Sequence, residues 1–323
     1  MSQKGEIDAT PAEAQTGPSK RRRWPPRRST RVEVNGWINL DKPVGVASTQ
    51  AVAQLKYLFN AKKAGHAGTL DPLASGVLPV AFGEATKTVP IVQEGAKAYR
   101  FVIKWGEETD TDDAEGKIVA SSPSRPTREE IEAALPRFVG LISQIPPTFS
   151  AIRVAGERAY DLARGGEAFE IAARAVLVHR LELVEAGPDE ARFEAECGKG
   201  AYVRAIARDL GRELGCHGHI AALRRTRVGP FSAKSAAALD ALRSSPEARA
   251  AALLAVEAGL AELACVAVDR HGAAILRRGQ ELLLRGVGAP EGPAYAARLG
   301  APVALGNVEG GYFVSTRVFN LPD

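Results

Sequence analysis

The stretch GHAGTLDPLASGVLP, residues 65–79, combines a shaped loop with the start of an apolar run. Gly68 and Gly76 permit backbone conformations that other residues resist, and Pro72 biases Asp71 toward extended backbone. The loop can therefore project the Asp71 carboxylate into a cleft, while GVLPVAFGEATKT predicts a buried strand directly after it. An Asx turn or a helix cap formed by Asp71 is the alternative interpretation of these residues alone.

Composition and length place the chain among soluble globular proteins. It has 323 residues, of which 45% are hydrophobic and 25% charged, and it is long enough for two domains. Its three cysteines are too few for a disulfide framework and indicate a reducing, cytoplasmic setting. No run approaches the roughly 20 apolar residues of a membrane-spanning helix, so we expect no membrane association.

Positive charge is concentrated in residues 20–31, KRRRWPPRRSTR, which contain seven Lys or Arg and no acid. The pI near 9.0 therefore says little about the folded part of the chain. Prolines and the polar run before them predict a disordered leader over residues 1–32. A flexible arm that raises the affinity for phosphate groups is the alternative.

The pattern of predicted elements favours an α+β fold with a mixed, mainly antiparallel sheet. Strands outnumber helices and do not alternate strictly with them, which argues against a doubly wound parallel sheet. We expect a main domain over residues 33–250, in which Ser48 or Thr49 caps an early helix. Residues 236–262 are Ala-rich and predicted to be helical, and the segment ILRRGQELLL after them is predicted to be a strand. Residues 251–323 should thus form a helical bridge and a small β domain.

A second polar cluster lies in KGAYVRAIARDLG, residues 199–211. Arg204 and Arg208 share one face of a predicted helix, while Tyr202 lies off that face. An arginine buried beside an aspartate keeps the carboxylate ionised and oriented, as a carboxylate nucleophile requires. A surface arginine on an amphipathic helix is the alternative. The basic stretch LRRTRVG, residues 223–229, is compatible with phosphate contact or with a solvated face.

Motifs for metals and cofactors are incomplete. GEATKT lacks the spacing of a nucleotide-binding P-loop. In the acidic loop DTDDAEG, Ala114 stands at a ligand position of a calcium loop and the glycine comes one residue late. Cys216, His217 and His219 are close in sequence but lack a second ligand pair at zinc-finger spacing. These residues therefore support neither a phosphate-binding loop of this kind nor a calcium loop, and they disfavour a zinc site.

Four long motifs occur in the order typical of TruB-type tRNA pseudouridine synthases, which the chain resembles over about residues 33–235. They are GHAGTLDPLASGVLP, AYRFVIKWGEETDTDDAEG, IPPTFSAIRVAGERAYDLARGG and CGKGAYVRAIARDLGRELGCHGHIAALRRTRVGPF. The closing β domain resembles, more weakly, the PUA-like domain at the end of this family. The resemblance implies a pseudouridine-synthase fold that acts on uridine 55 in the T loop of tRNA without a cofactor.

The resemblance also assigns the reacting groups. Asp71 matches the family nucleophile, Arg204 matches the arginine that pairs with it, and Asp113 matches an acid that orients this arginine. The reaction breaks the N-glycosidic bond of uridine, turns the base over and rejoins it through C5. Attack at the sugar C1′, addition to uracil C6 and elimination from the sugar are all compatible with a carboxylate at this position.

A uridine in a folded loop must be flipped out before it can react, which costs on the order of a few kcal/mol of stacking. By the resemblance, Tyr99 stacks on the target uracil and takes part in proton transfer from C5, and His66 helps to open the T loop. Tyr202 and Leu223 match residues that line the base pocket. Without the resemblance, packing in the core is the favoured interpretation of each.

Three other functions are compatible with parts of the sequence. A synthase guided by a separate RNA is disfavoured by the compact chain, which has its own predicted RNA-grasping insert at residues 130–166. An RNA-binding protein without catalysis would not require Asp71, Tyr99 and Arg204 together. A glycosidase using Asp71 and Asp113 would lack aromatic sugar platforms. We expect a monomer that binds the T arm of tRNA and needs no protein partner.

Overall fold

The computed structural model describes residues 30–150, 152–154, 156–165, 169–284 and 290–321. Residues 1–29 of the predicted leader therefore lie outside the described residues. At Val32 the backbone joins the folded part of the chain, because Val32 N donates to Asn60 O at 2.9 Å.

Strands dominate the described residues. Their bounds are β1 (Gly36–Lys42), β2 (Ala64–His66), β3 (Ser75–Phe82), β4 (Lys97–Trp105), β5 (Glu107–Thr109), β6 (Ile118–Ser121), β7 (Gly140–Gln144), β8 (Arg153–Val154), β9 (Glu157–Arg158), β10 (Arg174–Ala186), β11 (Glu190–Cys197), β12 (Gly218–Val228), β13 (Phe231–Ser232), β14 (Ala237–Ala238), β15 (Leu253–Leu254), β16 (Ala264–Ala267), β17 (Leu282–Leu283), β18 (Gly292–Arg298), β19 (Ala301–Glu309) and β20 (Tyr312–Val318).

Helices are short and lie between these strands. The α-helices are α1 (Ser48–Leu58), α2 (Val89–Glu94), α3 (Arg128–Ala134), α4 (Ala159–Gly165), α5 (Val203–Glu213), α6 (Leu239–Ser244), α7 (Pro246–Ala252) and α8 (Arg270–Arg277). Four 3₁₀ turns cover Gly83–Lys87, Leu135–Phe138, Ala233–Ser235 and Val256–Leu260 in the same described ranges. None of the helices in this part of the chain is long and apolar enough to cross a membrane.

The larger sheet follows the order β14-β1-β3-β12-β4-β11-β10-β7, with β15, β2 and β13 paired beside β1, β3 and β12. The pairs β1/β14 and β3/β12 are parallel. The other pairs along this path are antiparallel. The predicted mixed, mainly antiparallel α+β fold is confirmed.

One face of this sheet is covered by apolar side chains and by α5. Along β11 the buried residues Ala191, Phe193 and Ala195 alternate with less buried neighbours, as the two-residue period of a strand requires. From the helix, Ile206 and Leu210 enter the same buried cluster. This packing holds α5 and its arginines against the middle of the sheet.

The smaller sheet follows the order β16-β18-β19-β20-β17. Its own core includes Leu276 of α8 and Phe313 of β20. A second cluster joins it to the larger sheet, because Leu305 of β19 and Phe319 are buried together with Trp37 of β1. The predicted small C-terminal β structure is thus present and packs on the first strand of the chain.

Two segments differ from the sequence prediction. Residues 236–262 are only partly helical, and their short strands β14 and β15 extend the larger sheet beside β1. Gly36 permits this approach, since a Cβ there would lie 2.2 Å from Leu254 O. The segment ILRRGQELLL begins in α8 instead of a strand. Asp269 caps that helix by accepting a hydrogen bond from Gly272 N at 2.7 Å.

Candidate active site

A serine on α1 holds the loop between β2 and β3. Ser48 Oγ donates to Leu70 O at 2.7 Å and accepts from Leu70 N at 2.8 Å. The prediction that Ser48 or Thr49 caps α1 is wrong, because Ala47 is the residue before the helix and the Ser48 hydroxyl serves the loop. Asp71 directly follows the residue that Ser48 holds, so α1 helps to position this carboxylate.

Arg225 of β12 holds the same loop through its guanidinium group. Its Nε donates to Val77 O at 2.8 Å, Nη1 to Thr69 O at 3.1 Å and Nη2 to Gly68 O at 3.1 Å. The backbone of β12 comes so close that a Cβ on Gly76, which has a φ of 102°, would lie 2.1 Å from Arg225 O. Glycine is therefore required where the loop meets β12.

Arg204 of α5 lies against Asp71. Its Nε is 3.0 Å from Asp71 Oδ2, and its Nη1 is 3.4 Å from Asp113 Oδ2. The remaining N–H groups donate to Thr111 O at 2.8 Å and to Phe149 O at 2.9 Å. The Arg204 side chain is 5% exposed, which excludes the alternative of a surface arginine. These contacts hold the guanidinium group in place, and its Nε fixes the direction of the Asp71 carboxylate.

Asp113 and Asp71 differ sharply in access to solvent. The Asp71 side chain is 36% exposed and that of Asp113 only 4%. Asp113 Oδ1 accepts from Thr111 Oγ1 at 2.6 Å and from Glu115 N at 3.0 Å, and its other oxygen faces Arg204. A glycosidase needs two carboxylates at the scissile bond, so the buried Asp113 argues against that alternative.

A cleft of about 500 Å³ opens beside Asp71. Besides this carboxylate and Arg204, its walls include three residues singled out in the sequence, namely Tyr99 of β4, Leu223 of β12 and Tyr202, which precedes α5. Elements far apart in the sequence thus bring five of the seven predicted site residues to one place. The volume is in the usual range for small-molecule sites.

His66 lies elsewhere, in a second cleft of about 570 Å³ that shares Asp71 and Arg204 with the first. Asp113 and Phe149 also line this second cleft. His66 Nδ1 is buried and has no hydrogen-bond partner among the described residues. The Asp71 carboxylate therefore stands at the junction of two clefts.

Burial shifts the pKa of three side chains in these clefts. It raises the pKa of the Tyr99 phenol, and the charge and hydrogen bond of Arg225 oppose this rise. Burial also raises the pKa of Tyr202. For His66, burial and then the nearby Arg225 charge lower the imidazole pKa. His66 is accordingly neutral at neutral pH.

Two buried lysines stand near the site and were not singled out in the sequence. Lys42 Nζ donates to Pro43 O at 2.9 Å and to Val46 O at 2.8 Å. Lys97 lines the first cleft, and its Nζ donates to Gln93 O. Burial lowers the pKa of each lysine to about 8. Both amines therefore titrate closer to neutral pH than an exposed lysine does.

The second arginine of α5 serves a neighbouring loop. Arg208 Nη1 lies 3.0 Å from Asp112 Oδ2, and Nη2 donates to Ile145 O at 2.7 Å. Burial raises the pKa of Asp112 to about 6, against the lowering effect of Arg208. Arg208 thus stabilises the walls around Arg204 without lining either cleft.

The cysteine–histidine cluster has other partners. Cys216 is buried, His217 Nδ1 lies 3.4 Å from Glu108 Oε2, and His219 Nδ1 lies 2.9 Å from Glu107 O. Within the described ranges, no group of three or more His, Cys, Asp or Glu side chains could hold a metal ion.

Models of two protein families match consecutive parts of the chain. The N-terminal domain of the TruB family pseudouridylate synthases matches residues 56–203. The C-terminal domain of tRNA pseudouridylate synthase B matches residues 204–260. Together they cover more than half of the chain and include every predicted site residue.

The chain belongs to the TruB family of pseudouridylate synthases. Curated relatives of this TruB family chain are similar over most of their length. The tRNA pseudouridine synthase B of Rhodopseudomonas palustris is 57% identical over 306 residues, which are 92% of this chain and 83% of that protein. The protein of the same name from Bradyrhizobium diazoefficiens is 58% identical over 304 residues, which are 91% of this chain and 88% of that protein.

Solved structures share the fold. A chain in the H/ACA RNP bound to a substrate RNA containing 2′-deoxyuridine has a TM-score of 0.69 and 26% identity, covering 89% of this chain and 85% of that one. A chain in the archaeal box H/ACA sRNP Nop10–Cbf5 complex has a TM-score of 0.67 and 26% identity, covering 88% and 85%. The architecture of this TruB family chain therefore extends to chains of RNA–protein complexes.

For the basic stretch of β12, the sequence of this TruB family member left two interpretations, phosphate contact and a solvated face. Arg224 binds Asp41 through both Nη atoms at 3.0 and 2.8 Å, and Arg227 Nη2 lies 2.6 Å from Glu196 Oε1. Arg225, between them, turns inward and is 3% exposed. The alternation of a strand was the available signal, since residues 224 and 226 point away from the side to which 225 points.

Proposed function

We propose that this chain converts uridine 55 in the T loop of tRNA to pseudouridine, with Asp71 acting on the nucleoside. The observation that carries the proposal is an accessible carboxylate held by a buried arginine, with Arg204 Nε at 3.0 Å from Asp71. The relatives named tRNA pseudouridine synthase B support tRNA as the substrate. Position 55 is taken from the family resemblance.

Asp71 acts as an ionised carboxylate in this proposal. Arg204 stabilises the negative charge, and Asp113 is a positioning residue because it is buried behind Arg204. Attack at C1′, addition to C6 and elimination each require this ionised form. In every case the C1′–N1 bond breaks, the base turns, C5 bonds to C1′ and the C5 proton leaves.

The two clefts suit a flipped nucleotide. The uracil would enter the first cleft, with Tyr99 stacked on it and with Tyr202 and Leu223 lining its edge. The neutral His66 in the second cleft would contact the T loop that the base has left. Asp71 at the junction would then reach the bond between the sugar and the base.

We further propose a catalytic domain over residues 33–250 with an RNA-grasping insert at 130–166. Residues 251–323 would include a PUA-like domain that contacts tRNA. The chain would work in the cytoplasm as a monomer, without protein partner, guide RNA, metal or other cofactor. Activity of the purified protein tests whether a protein partner, a guide RNA or a cofactor is needed. Light scattering tests whether the active protein is a monomer.

Tritium release is the direct test of the reaction. A tRNA transcript carrying C5-tritiated uridine only at position 55 is incubated with the purified protein in EDTA. We expect release with full-length tRNA and with a T-arm minihelix, and none with Asp71→Asn. Asp240→Asn is the matched control, because the Asp240 side chain is 88% exposed and binds Arg243; this variant should behave as wild type.

Three outcomes would contradict the proposal. Full activity of Asp71→Asn removes Asp71 as the reacting group. Release from a transcript tritiated at all its uridines, but not from the transcript labelled only at position 55, changes the site of modification. If purified protein restructures tRNA but releases no tritium, the noncatalytic RNA-binding alternative is the better interpretation.

A further inference from the structure

Arg225 is a buried cation beside the first cleft. It is 3% exposed, and no carboxylate of the described residues lies within ion-pair distance of it, whereas Arg204 is paired with Asp71. A buried charge without an ionic partner is unfavourable unless its hydrogen bonds are all satisfied. The location of Arg225 therefore points to a role beyond filling the core.

The guanidinium group of Arg225 ties together both ends of the Asp71 loop. Its acceptors are the carbonyl oxygens of Gly68 and Thr69 before Asp71 and of Val77 after it. These three bonds use Nε and both Nη atoms, so they fix the plane of the fork as well as its position. The loop cannot shift relative to β12 without breaking them.

The same arginine lies beside a second residue of the cleft. The register of β12 and β4 pairs Arg225 directly with Tyr99, and both residues line the first cleft. Burial raises the pKa of the Tyr99 phenol, the nearby Arg225 opposes the rise, and the nearby Cys197 and Asp71 add to it. Arg225 therefore bonds the Asp71 loop while lying next to Tyr99.

We propose that Arg225 is the positioning residue that sets the separation between the Asp71 carboxylate and the Tyr99 ring. This inference rests on the roles proposed above for Asp71 and Tyr99. A uracil stacked on Tyr99 must present its glycosidic bond to Asp71, so both walls have to keep a fixed separation. Misplacement by about 1 Å is enough to reduce a rate roughly 100-fold.

The variant Arg225→Lys tests the geometry of the guanidinium group separately from its charge. Arg225→Lys keeps the positive charge, but one amine cannot reach the three carbonyl oxygens that the planar guanidinium group bonds. With uridine-55-labelled tRNA and excess enzyme, we expect the single-turnover rate to fall roughly 100-fold while the Kd for tRNA is unchanged. Arg224→Lys, on the same strand but bound to Asp41, should keep the wild-type rate.

A double-mutant cycle distinguishes positioning from a general loss of structure. If Arg225 acts by positioning the Tyr99 ring, the rate losses of Arg225→Lys and Tyr99→Ala are less than multiplicative when the two are combined. Multiplicative losses overturn the inference. A wild-type rate for Arg225→Lys also overturns it. The same holds if this variant has a lowered melting temperature and recovers its rate on cooling.

Failure of this inference is distinct from failure of the proposed function. A wild-type rate of Arg225→Lys with an inactive Asp71→Asn rejects only the positioning role. An active Asp71→Asn rejects the proposed nucleophile, whatever the behaviour of the Arg225 variants.

Discussion

Buried charges beside the cleft are anchored to backbone oxygens as well as to acids. Arg204 donates to Thr111 O and Phe149 O, and Lys42 donates to Pro43 O and Val46 O. Because these carbonyl oxygens belong to segments between helices and strands, the charged group and the segment that it bonds fix one another. At the scale of single residues, the site is therefore organised by cationic side chains that donate hydrogen bonds to carbonyl oxygens of irregular backbone.

Arg204→Lys should impair chemistry far more than binding. A lysine amine can pair with Asp71, but it leaves the carbonyl oxygens of Thr111 and Phe149 without their donors. We expect the single-turnover rate to fall roughly 100- to 1,000-fold with little change in the Kd for tRNA.

The matched control for that variant is Arg212→Lys on the same helix. Arg212 binds Glu108 through two nitrogens but is 53% exposed and lies outside both clefts. It should turn over labelled tRNA as wild type does. If Arg204→Lys and wild type had equal rates, Arg204 would be removed from the network around Asp71.

At the scale of elements, local sequence patterns predicted the strands and helices that pack against the core. The predicted strand GVLPVAFGEATKT begins as β3 but ends at Phe82, where a 3₁₀ turn follows, and the helix predicted for Arg204 and Arg208 is α5. The functions of Ser48 and Arg225 were not predictable in this way. Their partners lie 22 and about 150 residues away along the chain, and a residue pattern encodes no contact at that separation.

The burial of Arg204 illustrates the same limit. Helical periodicity predicted its helix, but exposure on that helix depends on the loops that cover it. The resemblance to a family, carried by four motifs, supplied the candidates Asp71, Tyr99 and Arg204. Their convergence on one cleft became visible only in the tertiary structure.

Gly76→Ala should disturb the contact between the loop and β12. A Cβ at this position would overlap Arg225 O, 2.1 Å away, and the φ of 102° is itself unfavourable for alanine. Strain and overlap together should lower the free energy of unfolding by roughly 2–6 kcal/mol in urea titrations. The single-turnover rate of the remaining folded protein should fall as well, because β12 carries Arg225.

Gly140→Ala separates backbone strain from overlap. Gly140 has a φ of 91°, and no described atom lies within 4 Å of a Cβ built there. Gly140→Ala should lower the free energy of unfolding by only roughly 1–3 kcal/mol, from backbone strain alone. Equal losses in the two variants would show that the approach of β12 to Gly76 contributes nothing.

At the scale of the whole molecule, the C-terminal sheet is tied to the strand that follows the Asp71 loop. The 3₁₀ turn Gly83–Lys87 comes directly after β3, and Lys87 Nζ donates to Val318 O at 2.8 Å. Glu84 Oε2 accepts from Asn320 N at 2.6 Å and from Lys87. Because β3 also carries Gly76, this one strand connects the larger sheet, the C-terminal sheet and the candidate site.

Phe319 tests whether the C-terminal sheet and the larger sheet stabilise one another. Its side chain is 2% exposed and lies in one buried cluster with Trp37 of β1 and Leu305 of β19. Phe319→Ala should lower the free energy of unfolding by about 3–5 kcal/mol, measured in urea by tryptophan fluorescence. Leu299→Ala, at a side chain 92% exposed in the turn between β18 and β19, should stay within about 0.5 kcal/mol of wild type. Equal, small losses in both variants would mean that each sheet is stable without the shared cluster.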